Sequence, residues 1–217
     1  DSHVLLAGGP AIIHAGGREA LTWLIEQGFI HILFCGNALA AHDMEADLFG
    51  TSLGYGLTAG RAVPHGHEHH LRTINRIRAI GGIEAAVTSG MIKQGIMAAC
   101  IRQGVPVIMS GTIRDDGPLP GVITDSVLAQ RAMRALIPGV GLALLVASTL
   151  HSVATGNLLP ATVPTVCVDV NPSVPFWGGP AGIDSDGTAA GETVYSYGNS
   201  SLRGGVEQLS PKQGTSL

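Results

Sequence analysis

Short runs of consecutive apolar residues alternate, along the first 172 residues, with segments in which apolar residues recur every three or four positions. The runs are rich in Val, Ile, Leu and Ala, which is typical of strands buried on both faces of a sheet. They predict five strands, at residues 3–8, 31–35, 105–109, 142–147 and 163–170. Because helical segments separate the strands, the pattern predicts a parallel sheet covered by helices on both faces.

The helical segments complete this arrangement. Helices are predicted at residues 18–27, 38–48, 70–80, 90–103 and 125–136, with a long polar loop at 50–67. Thr124 is the predicted N-cap of the last helix, and Asp125 lies at the positive end of its dipole. The order of elements predicts a Rossmann-like, doubly wound α/β fold, in which ligands bind beyond the carboxyl ends of the strands.

Both ends of the chain differ from this pattern. The chain opens without Met and enters a strand by Val4, so we expect an N-terminally truncated domain at residues 1–172. Residues 173–217 are rich in Gly, Ser and Pro and carry no helical period. This composition predicts an irregular tail, either disordered or translated outside its proper frame, in which no function is placed.

Charge and composition exclude several classes of protein. The formal net charge is −4 and no cluster of Lys and Arg is present, which argues against a nucleic-acid partner. The longest apolar run, at 139–149, is too short to cross a membrane, and no signal peptide precedes it. Cys35, Cys100 and Cys167 lie apart in apolar runs, so we interpret them as reduced core residues of a cytoplasmic protein.

Polar residues or glycines follow the predicted strands. Asn37, Ser110, Ser148 and Asp169 all stand at such strand ends. Glycine lets a backbone approach a phosphate, helix N-termini present N–H groups to it, and an acidic residue can hold ribose hydroxyls. The strand ends therefore predict a nucleotide-type cofactor site, with ordinary caps and turns as the alternative for each end. The usual dinucleotide fingerprint of spaced glycines is absent.

The loop at 110–120 is the most informative of these segments. It places Asp115 and Asp116 between Arg114 and two prolines, which reduce the freedom of the loop. In an extended segment the two carboxylates point to different sides. One would then pair with Arg114 while the other faces a ribose or a substrate ammonium group; the alternative is a solvated acidic turn.

Histidines offer a further set of candidates. The spacing within residues 65–70 fits neither of the common zinc motifs, and an arginine-rich helix follows, so no metal site is predicted. His69 and His70 are interpreted as ligand contacts or caps. His14 and the adjacent pair His42 and Asp43 are also candidates, with a hydrogen-bonded core histidine as the alternative.

Several longer segments resemble one family, the archaeal-type ornithine cyclodeaminases, also called the LOR/SDH family. Related modules form the C-terminal part of cyanobacterial arginine dihydrolase–ornithine cyclodeaminase fusions. The resemblance runs from Val4 to Pro172 and is carried by the segments Gly9-Pro-Ala-Ile-Ile-His14, Gly36-Asn-Ala-Leu-Ala-Ala-His-Asp43, Leu48-Phe-Gly-Thr-Ser-Leu-Gly54, His69-His-Leu-Arg-Thr-Ile-Asn75, Ile113-Arg-Asp-Asp-Gly-Pro-Leu-Pro120, Leu150-His-Ser-Val-Ala-Thr-Gly-Asn157 and Cys167-Val-Asp-Val-Asn-Pro172.

The resemblance implies a Rossmann-like domain that binds NAD and converts L-ornithine to L-proline with release of ammonia. NAD is regenerated in each turnover, so no second redox substrate is needed. The expected cofactor contacts are Asn37, Ala38, Asp116, Ser148, Thr149 and Leu150, with Asp169 and Asn171 as additional ones. The chemistry also needs a proton acceptor and an anionic group near the substrate ammonium groups, for which Asp43, Asp115 and His42 are the candidates.

Two departures from the family leave other functions open. The family has a further region before Val4 and regular βα structure after Pro172, and this chain has neither, which puts its own activity in question. One alternative is an NAD-binding module without turnover. Another is a saccharopine- or lysine-type amino-acid dehydrogenase. The expected partners are an amino-acid substrate and further copies of the chain, without nucleic acid or membrane.

Overall fold

The computed structural model describes residues 2–58, 60–115 and 117–169, together with the backbone of Thr193–Ser196. Within these residues the chain builds one main sheet in which all paired strands are parallel. Its strands are β1 His3–Gly8, β2 Ile32–Gly36, β5 Val107–Ser110, β6 Val140–Val146, β7 Thr165–Val168 and β8 Thr193–Ser196. A separate small hairpin is formed by β3 Thr51–Ser52 and β4 Tyr55–Gly56.

The order of the strands across the main sheet is β5-β2-β1-β6-β7-β8. Counted within this sheet alone, the order is third, second, first, fourth, fifth, sixth, which is that of the dinucleotide-binding doubly wound folds. The predicted Rossmann-like fold is therefore confirmed. The direction of winding reverses between β1 and β6, where such sheets open a crevice for ligands.

Helices cover both faces of the sheet. They are α1 Ala11–His14, α2 Arg18–Glu26, α3 Asn37–Phe49, α4 His69–Ile80, α5 Ile83–Thr88, α6 Ile96–Gln103, α7 Ser126–Ala135 and α8 Thr149–Gly156. Neighbouring residues of β1 serve opposite faces: Leu6 belongs to the core cluster that contains Ile77 and Cys100, and Leu5 to the cluster that contains Met133. Burial on both faces explains why the strands are apolar throughout.

The helix predicted at 90–103 ends where α6 ends but begins too early, since α6 starts at Ile96. A turn at residues 89–95 precedes it, and the short helix α5 before that turn was not predicted. Gly90 and Gly95 have φ angles of 76° and 112°, which an uninterrupted right-handed helix does not allow. Met91 and Ile92 in the turn pack on the same core as α6, so the hydrophobic pattern extends past the start of that helix.

Other local features also differ from the sequence predictions. Asp125, not Thr124, caps α7, since its carboxylate accepts hydrogen bonds from the N–H groups of Val127 and Leu128. The short helices α1 and α8 and the hairpin inside the predicted polar loop were not predicted. Of the predicted tail, Thr193–Ser196 forms the edge strand β8, and the rest lies outside the described residues, as does the proposed domain boundary after residue 172.

Candidate functional site

A cavity of about 420 Å³ lies at the carboxyl ends of the central strands. Its walls come from the segments that follow β1, β2, β5 and β6, and from α4 and the hairpin loop. The residues that line it are Pro10, His14, Gly36, Asn37, Ala38, Ala41, His42, Leu53, His70, Ile74, Thr112, Ile113, Arg114, Asp115, Leu150 and His151. The structure therefore brings together five of the expected cofactor contacts and catalytic candidates, Asn37, Ala38, His42, Asp115 and Leu150, and adds the histidine candidates His14 and His70.

Two glycines allow the close approach of the strand ends around this cavity. A Cβ atom on Gly9 would lie 1.8 Å from the carbonyl oxygen of Ala147, so the turn after β6 can touch the end of β1 only without a side chain there. A Cβ atom on Gly36 would lie 2.8 Å from Cε1 of His151. The imidazole of His151 thus rests directly on the backbone at the end of β2.

Asn37 links the start of α3 to the loop after β5. Its side chain is buried, and its Oδ1 accepts a hydrogen bond of 2.8 Å from the N–H of Leu119. Ala38 follows at the beginning of α3 and lines the cavity. The small Ala38 side chain keeps this wall open for a ligand.

Asp115 is held by its own loop. Its carboxylate accepts hydrogen bonds from the backbone N–H and the hydroxyl of Thr112, at 2.8 and 3.1 Å. Asp115 makes no ion pair with Arg114 in the described structure; the partner of its carboxylate is Thr112. Asp116, the other carboxylate of this pair, lies outside the described residues.

Helix α8 begins at the rim of the cavity. Ser148 is its N-cap and accepts a hydrogen bond from the N–H of His151, and Thr149 is its first residue. Neither Ser148 nor Thr149 lines the cavity, whereas the exposed Leu150 does. Asp169 directly follows β7 and also lies outside the lining, and Asn171 is beyond the described residues.

His151 is a site residue that the sequence analysis did not single out. It lies beside the predicted Leu150 in the same quoted segment, which was the available signal. Its Nδ1 lies 3.1 Å from the Ser148 hydroxyl, and its buried Nε2 has no hydrogen-bond partner within the described structure. Burial lowers the pKa of His151, and the charge of Asp115 opposes this only in part.

Three histidines form one wall of the cavity, and His42 is in the middle of them. Its ring centroid lies 5.2 Å from that of His14 and 6.1 Å from that of His70. Its Nδ1 lies 2.9 Å from Oε2 of Glu45. His14 is held by the Ser52 hydroxyl at 2.8 Å, and burial, together with the neighbouring His42, lowers the pKa of His14.

Glu45 is a second residue that sequence reasoning missed. Its side chain is fully buried behind His42 and also accepts hydrogen bonds from the Thr51 hydroxyl at 2.8 Å and from the N–H groups of Leu53 and Gly54, each at 3.3 Å. Burial raises the pKa of Glu45, but the hydrogen bonds outweigh it and lower the pKa below its usual value. The i, i+3 spacing from His42 was a usable signal for this pair.

Asp43 does not line the cavity. It is fully buried on another face of α3, where Oδ1 lies 2.7 Å from Nε of Arg18. Its carboxylate also accepts hydrogen bonds from the N–H groups of Ile96 and Met97 at the start of α6. Burial raises the pKa of Asp43, while Arg18 and these two amides favour its ionised form. All of these contacts connect structural elements to one another.

The described residues do not offer a metal site or a membrane span. Among the described residues, no group of three or more His, Cys, Asp or Glu side chains is arranged to hold a metal ion. In the same part of the chain, no helix is long and apolar enough to span a membrane. A second cavity, of about 430 Å³, lies at the opposite edge of the sheet, and no Asp, Glu, Lys or Arg lines it.

Known proteins resemble the chain over the same segment that carries the site. An ornithine cyclodeaminase from Methanopyrus kandleri is 54% identical over 174 residues, which are 80% of this chain and 42% of that protein. The bifunctional arginine dihydrolase/ornithine cyclodeaminase AgrE from Nostoc sp. is 46% identical over 171 residues, or 79% of this chain and 24% of that protein. The chain therefore spans less than half the length of these curated relatives.

Solved structures agree with the sequence comparison. A LOR/SDH protein from Methanococcus maripaludis superposes with a TM-score of 0.79 at 46% identity, over 82% of this chain and 54% of that one. AgrE in a ternary complex with ornithine and NAD+ gives a TM-score of 0.80 at 42% identity, over 88% and 28% of the two chains. The family described as "Arginine dihydrolase ArgZ-like, C-terminal, Rossmann fold" matches residues 1–177. The chain belongs to this family of C-terminal Rossmann-fold domains, as its quoted segments predicted.

Proposed function

We propose that this chain is the NAD-binding part of an ornithine cyclodeaminase, which converts L-ornithine to L-proline and ammonia. The observation that carries the proposal is the cavity at the carboxyl ends of four strands, at the edge where doubly wound sheets bind dinucleotides. The names of the relatives and the ligands of the AgrE complex support the choice of ornithine and NAD+.

The cofactor contacts in this proposal are those predicted from the sequence. Asn37, Ala38 and Leu150 line the cavity, and Ser148 and Thr149 stand at its rim, where α8 begins. The N-terminus of that helix suits a pyrophosphate because the N–H groups of Thr149 and Leu150 precede the one of His151 that Ser148 caps, and first-turn N–H groups point towards a bound anion. Asp116, Asp169 and Asn171 remain proposed contacts.

The proposed catalytic groups are His42 and Asp115. Bound NAD+ would take a hydride from the α-carbon of ornithine and return it after ring closure and loss of ammonia, so that no NADH accumulates. His42 would accept a proton from the substrate ammonium group, and Asp115 would hold a cationic end of the substrate. Asp43 is left out of the catalytic set because its buried carboxylate is already engaged by Arg18 and two amides.

Paired substitutions at the two cavities test where NAD+ binds. Ala38→Phe would fill the cavity at the carboxyl ends of the strands, and Ala135→Phe would place the same bulk at the opposite cavity. We expect Ala38→Phe to weaken NAD+ binding by at least 10-fold in calorimetric titrations, while Ala135→Phe leaves the affinity unchanged. The reverse result would move the cofactor to the other edge of the sheet.

Activity is best tested in a longer protein, because the chain covers 42% of the Methanopyrus kandleri enzyme. In a chimera, the matched segment of this chain replaces the corresponding 174 residues of that enzyme. Incubation with ornithine and NAD+ should yield proline and ammonia in equal amounts without net NADH. Absence of proline from a folded chimera that binds NAD+ would refute the cyclodeaminase proposal, and net NADH would indicate an amino-acid dehydrogenase instead.

A second candidate is an NAD-binding module that has no turnover by itself. The short coverage of the relatives favours this candidate for the isolated chain. NAD+ binding by the 217-residue chain without proline formation, combined with proline formation by the chimera, would establish it.

A further inference from the structure

We propose that Glu45 positions His42 as the proton acceptor of the site by fixing which ring nitrogen of His42 faces the cavity. The inference deepens the proposed cyclodeaminase function and rests on it for the identity of the proton donor. The residue singled out is one to which neither the sequence analysis nor the family resemblance assigns a role.

The surroundings of Glu45 show that its carboxylate is an acceptor only. Three donors, the Thr51 hydroxyl and the backbone N–H groups of Leu53 and Gly54, converge on its two oxygens, and Nδ1 of His42 lies 2.9 Å from Oε2. Among the described residues, Glu45 is the carboxylate that contacts both a histidine lining the cavity and backbone N–H groups of the hairpin loop. Burial raises the pKa of Glu45, but the hydrogen bonds around it lower the pKa below its usual value, so the carboxylate is ionised at neutral pH and has no proton to donate.

This arrangement decides the tautomer of His42. Since the Glu45 carboxylate has no proton to give, Nδ1 of His42 must carry the hydrogen in their 2.9 Å contact. Neutral His42 therefore has its lone pair on Nε2, which makes no hydrogen bond to a described residue. His42 lines the cavity, so this lone pair is the one available to a ligand.

The groups packed against His42 are two further histidines and one carboxylate. His14 on α1 and His70 on α4 contact its ring, and Glu45 lies behind it on α3. Burial lowers the pKa of His14, so His14 adds no positive charge beside His42 at neutral pH. The anionic Glu45 would stabilise the imidazolium that forms when His42 takes a proton.

The step itself is a simple proton transfer. The N–H bond of the substrate α-ammonium group breaks, its electron pair stays on nitrogen, and a new N–H bond forms at Nε2 of His42. The resulting amine can then support loss of hydride from the α-carbon. Glu45 touches neither substrate nor cofactor and acts only through His42.

A double-mutant cycle in the chimera tests whether Glu45 acts through His42. The variants are Glu45→Gln, His42→Gln and the two combined, with the exposed Glu84→Gln as the matched control. We expect Glu45→Gln to lower kcat by roughly 10- to 100-fold with little change in KM, and to have no further effect in the His42→Gln background. Equal losses in both backgrounds would overturn the proposal, because a purely structural residue acts independently of His42.

The tautomer is measured separately, in the 217-residue chain labelled with 15N-histidine. The His42 signals are assigned by their loss in His42→Gln, and in the parent chain they should show a protonated Nδ1 and an unprotonated Nε2 at pH 7.5. A protonated Nε2 in neutral His42 would overturn the proposal. This measurement needs no turnover and no folded Glu45 variant, so it remains decisive even if the chimera forms no proline and the proposed function fails.

Discussion

At the scale of single residues, Gly9 shows how one missing side chain shapes the crevice. The turn after β6 places the carbonyl of Ala147 where a Cβ atom on Gly9 would be, and Ala147 itself has a φ angle of 53°. A non-glycine residue in the left-handed region costs roughly 1–2 kcal/mol. This strained residue lies beside the point where the winding of the sheet reverses between β1 and β6 and the ligand crevice opens.

Gly9→Ala is therefore expected to destabilise the protein by about 1–3 kcal/mol, since the clash is with backbone that cannot rotate away. Gly17→Ala is the control, because Gly17 has a φ angle of −81° and a Cβ atom there would meet its neighbours at 3.4 Å. The free energy of unfolding in urea measures both. Equal effects of the two substitutions would show that the contact between Gly9 and Ala147 is not tight.

Histidine roles at this scale depend on partners that lie far away in sequence. His14 is held by Ser52, 38 residues further on, and His42 by Glu45 within the same helical turn. The second of these contacts could be inferred from spacing on a helix, and the first could not. The sequence therefore named His42 as a candidate and left its orientation open.

At the scale of elements, α3 connects the cavity to the second layer of helices. Two of its acidic residues, Asp43 and Asp47, reach the turn before α6 and accept hydrogen bonds from backbone N–H groups there. They hold the turn and the start of α6 in a region that the sequence predicts as continuous helix from residue 90. Only Asp43 is fully buried and paired with Arg18.

Because only Asp43 is buried and paired, substitutions of Asp43 and Asp47 should lower the free energy of unfolding by different amounts. Asp43→Asn leaves Arg18 without its charged partner in a nearly dry environment, and should destabilise the protein by about 3–5 kcal/mol. Asp47→Asn weakens two partly exposed hydrogen bonds and should cost about 1 kcal/mol. Chemical denaturation followed by far-UV circular dichroism compares them. A small effect of Asp43→Asn would imply that the buried pair contributes little to holding α6.

At the scale of the whole molecule, the strand order decides where polar residues from distant segments meet. The segments after β1, β2, β5 and β6 lie far apart in the sequence, from Pro10 to His151. They nevertheless meet where the carboxyl ends of these strands lie side by side. All paired strands of the main sheet run parallel, so the residues that follow them collect at that edge. The opposite edge has a cavity of similar volume without charged lining residues.

Stability should fall as the pH decreases below about 6.5, because His14 and His151 have folded-state pKa values lowered from 6.5 by burial. Below pH 6.5 these histidines bind protons more readily in the unfolded chain than in the folded protein, which favours unfolding. The full stability is therefore present above pH 6.5 and is lost as the pH falls towards the lowered folded-state pKa values. Urea denaturation at pH 7.5, 6.5 and 5.5 measures this slope.

His151→Gln should reduce the slope, since one of the two contributing groups is removed. The matched control is His67→Gln, because the side chain of His67 is 81% exposed and loses little solvation on folding. An unchanged slope in His151→Gln would mean that the buried imidazole does not contribute to the dependence on pH.

Much of the fold could be predicted because strand and helix signals are local. The apolar runs located five strands of the main sheet, β1, β2, β5, β6 and β7, to within a few residues. The quoted segments identified the family that the comparisons confirm. α6 was predicted to start too early because Met91 and Ile92 of the preceding turn pack on the same core, and α5 was missed because its 6 residues are too few to establish a helical period. The hydrogen bonds from the start of α6 to Asp43 span more than 50 residues and leave no local signal.

The sequence by itself determined a doubly wound sheet and a polar rim at its strand ends, because the alternation of apolar strands and helices allows few other packings. It could not decide which polar residues face the ligand cavity. His42 and Asp43 are neighbours in the sequence, but successive helical residues point about 100° apart, so one lines the cavity and the other pairs with Arg18. Only the packing of α3 against its neighbours made that choice.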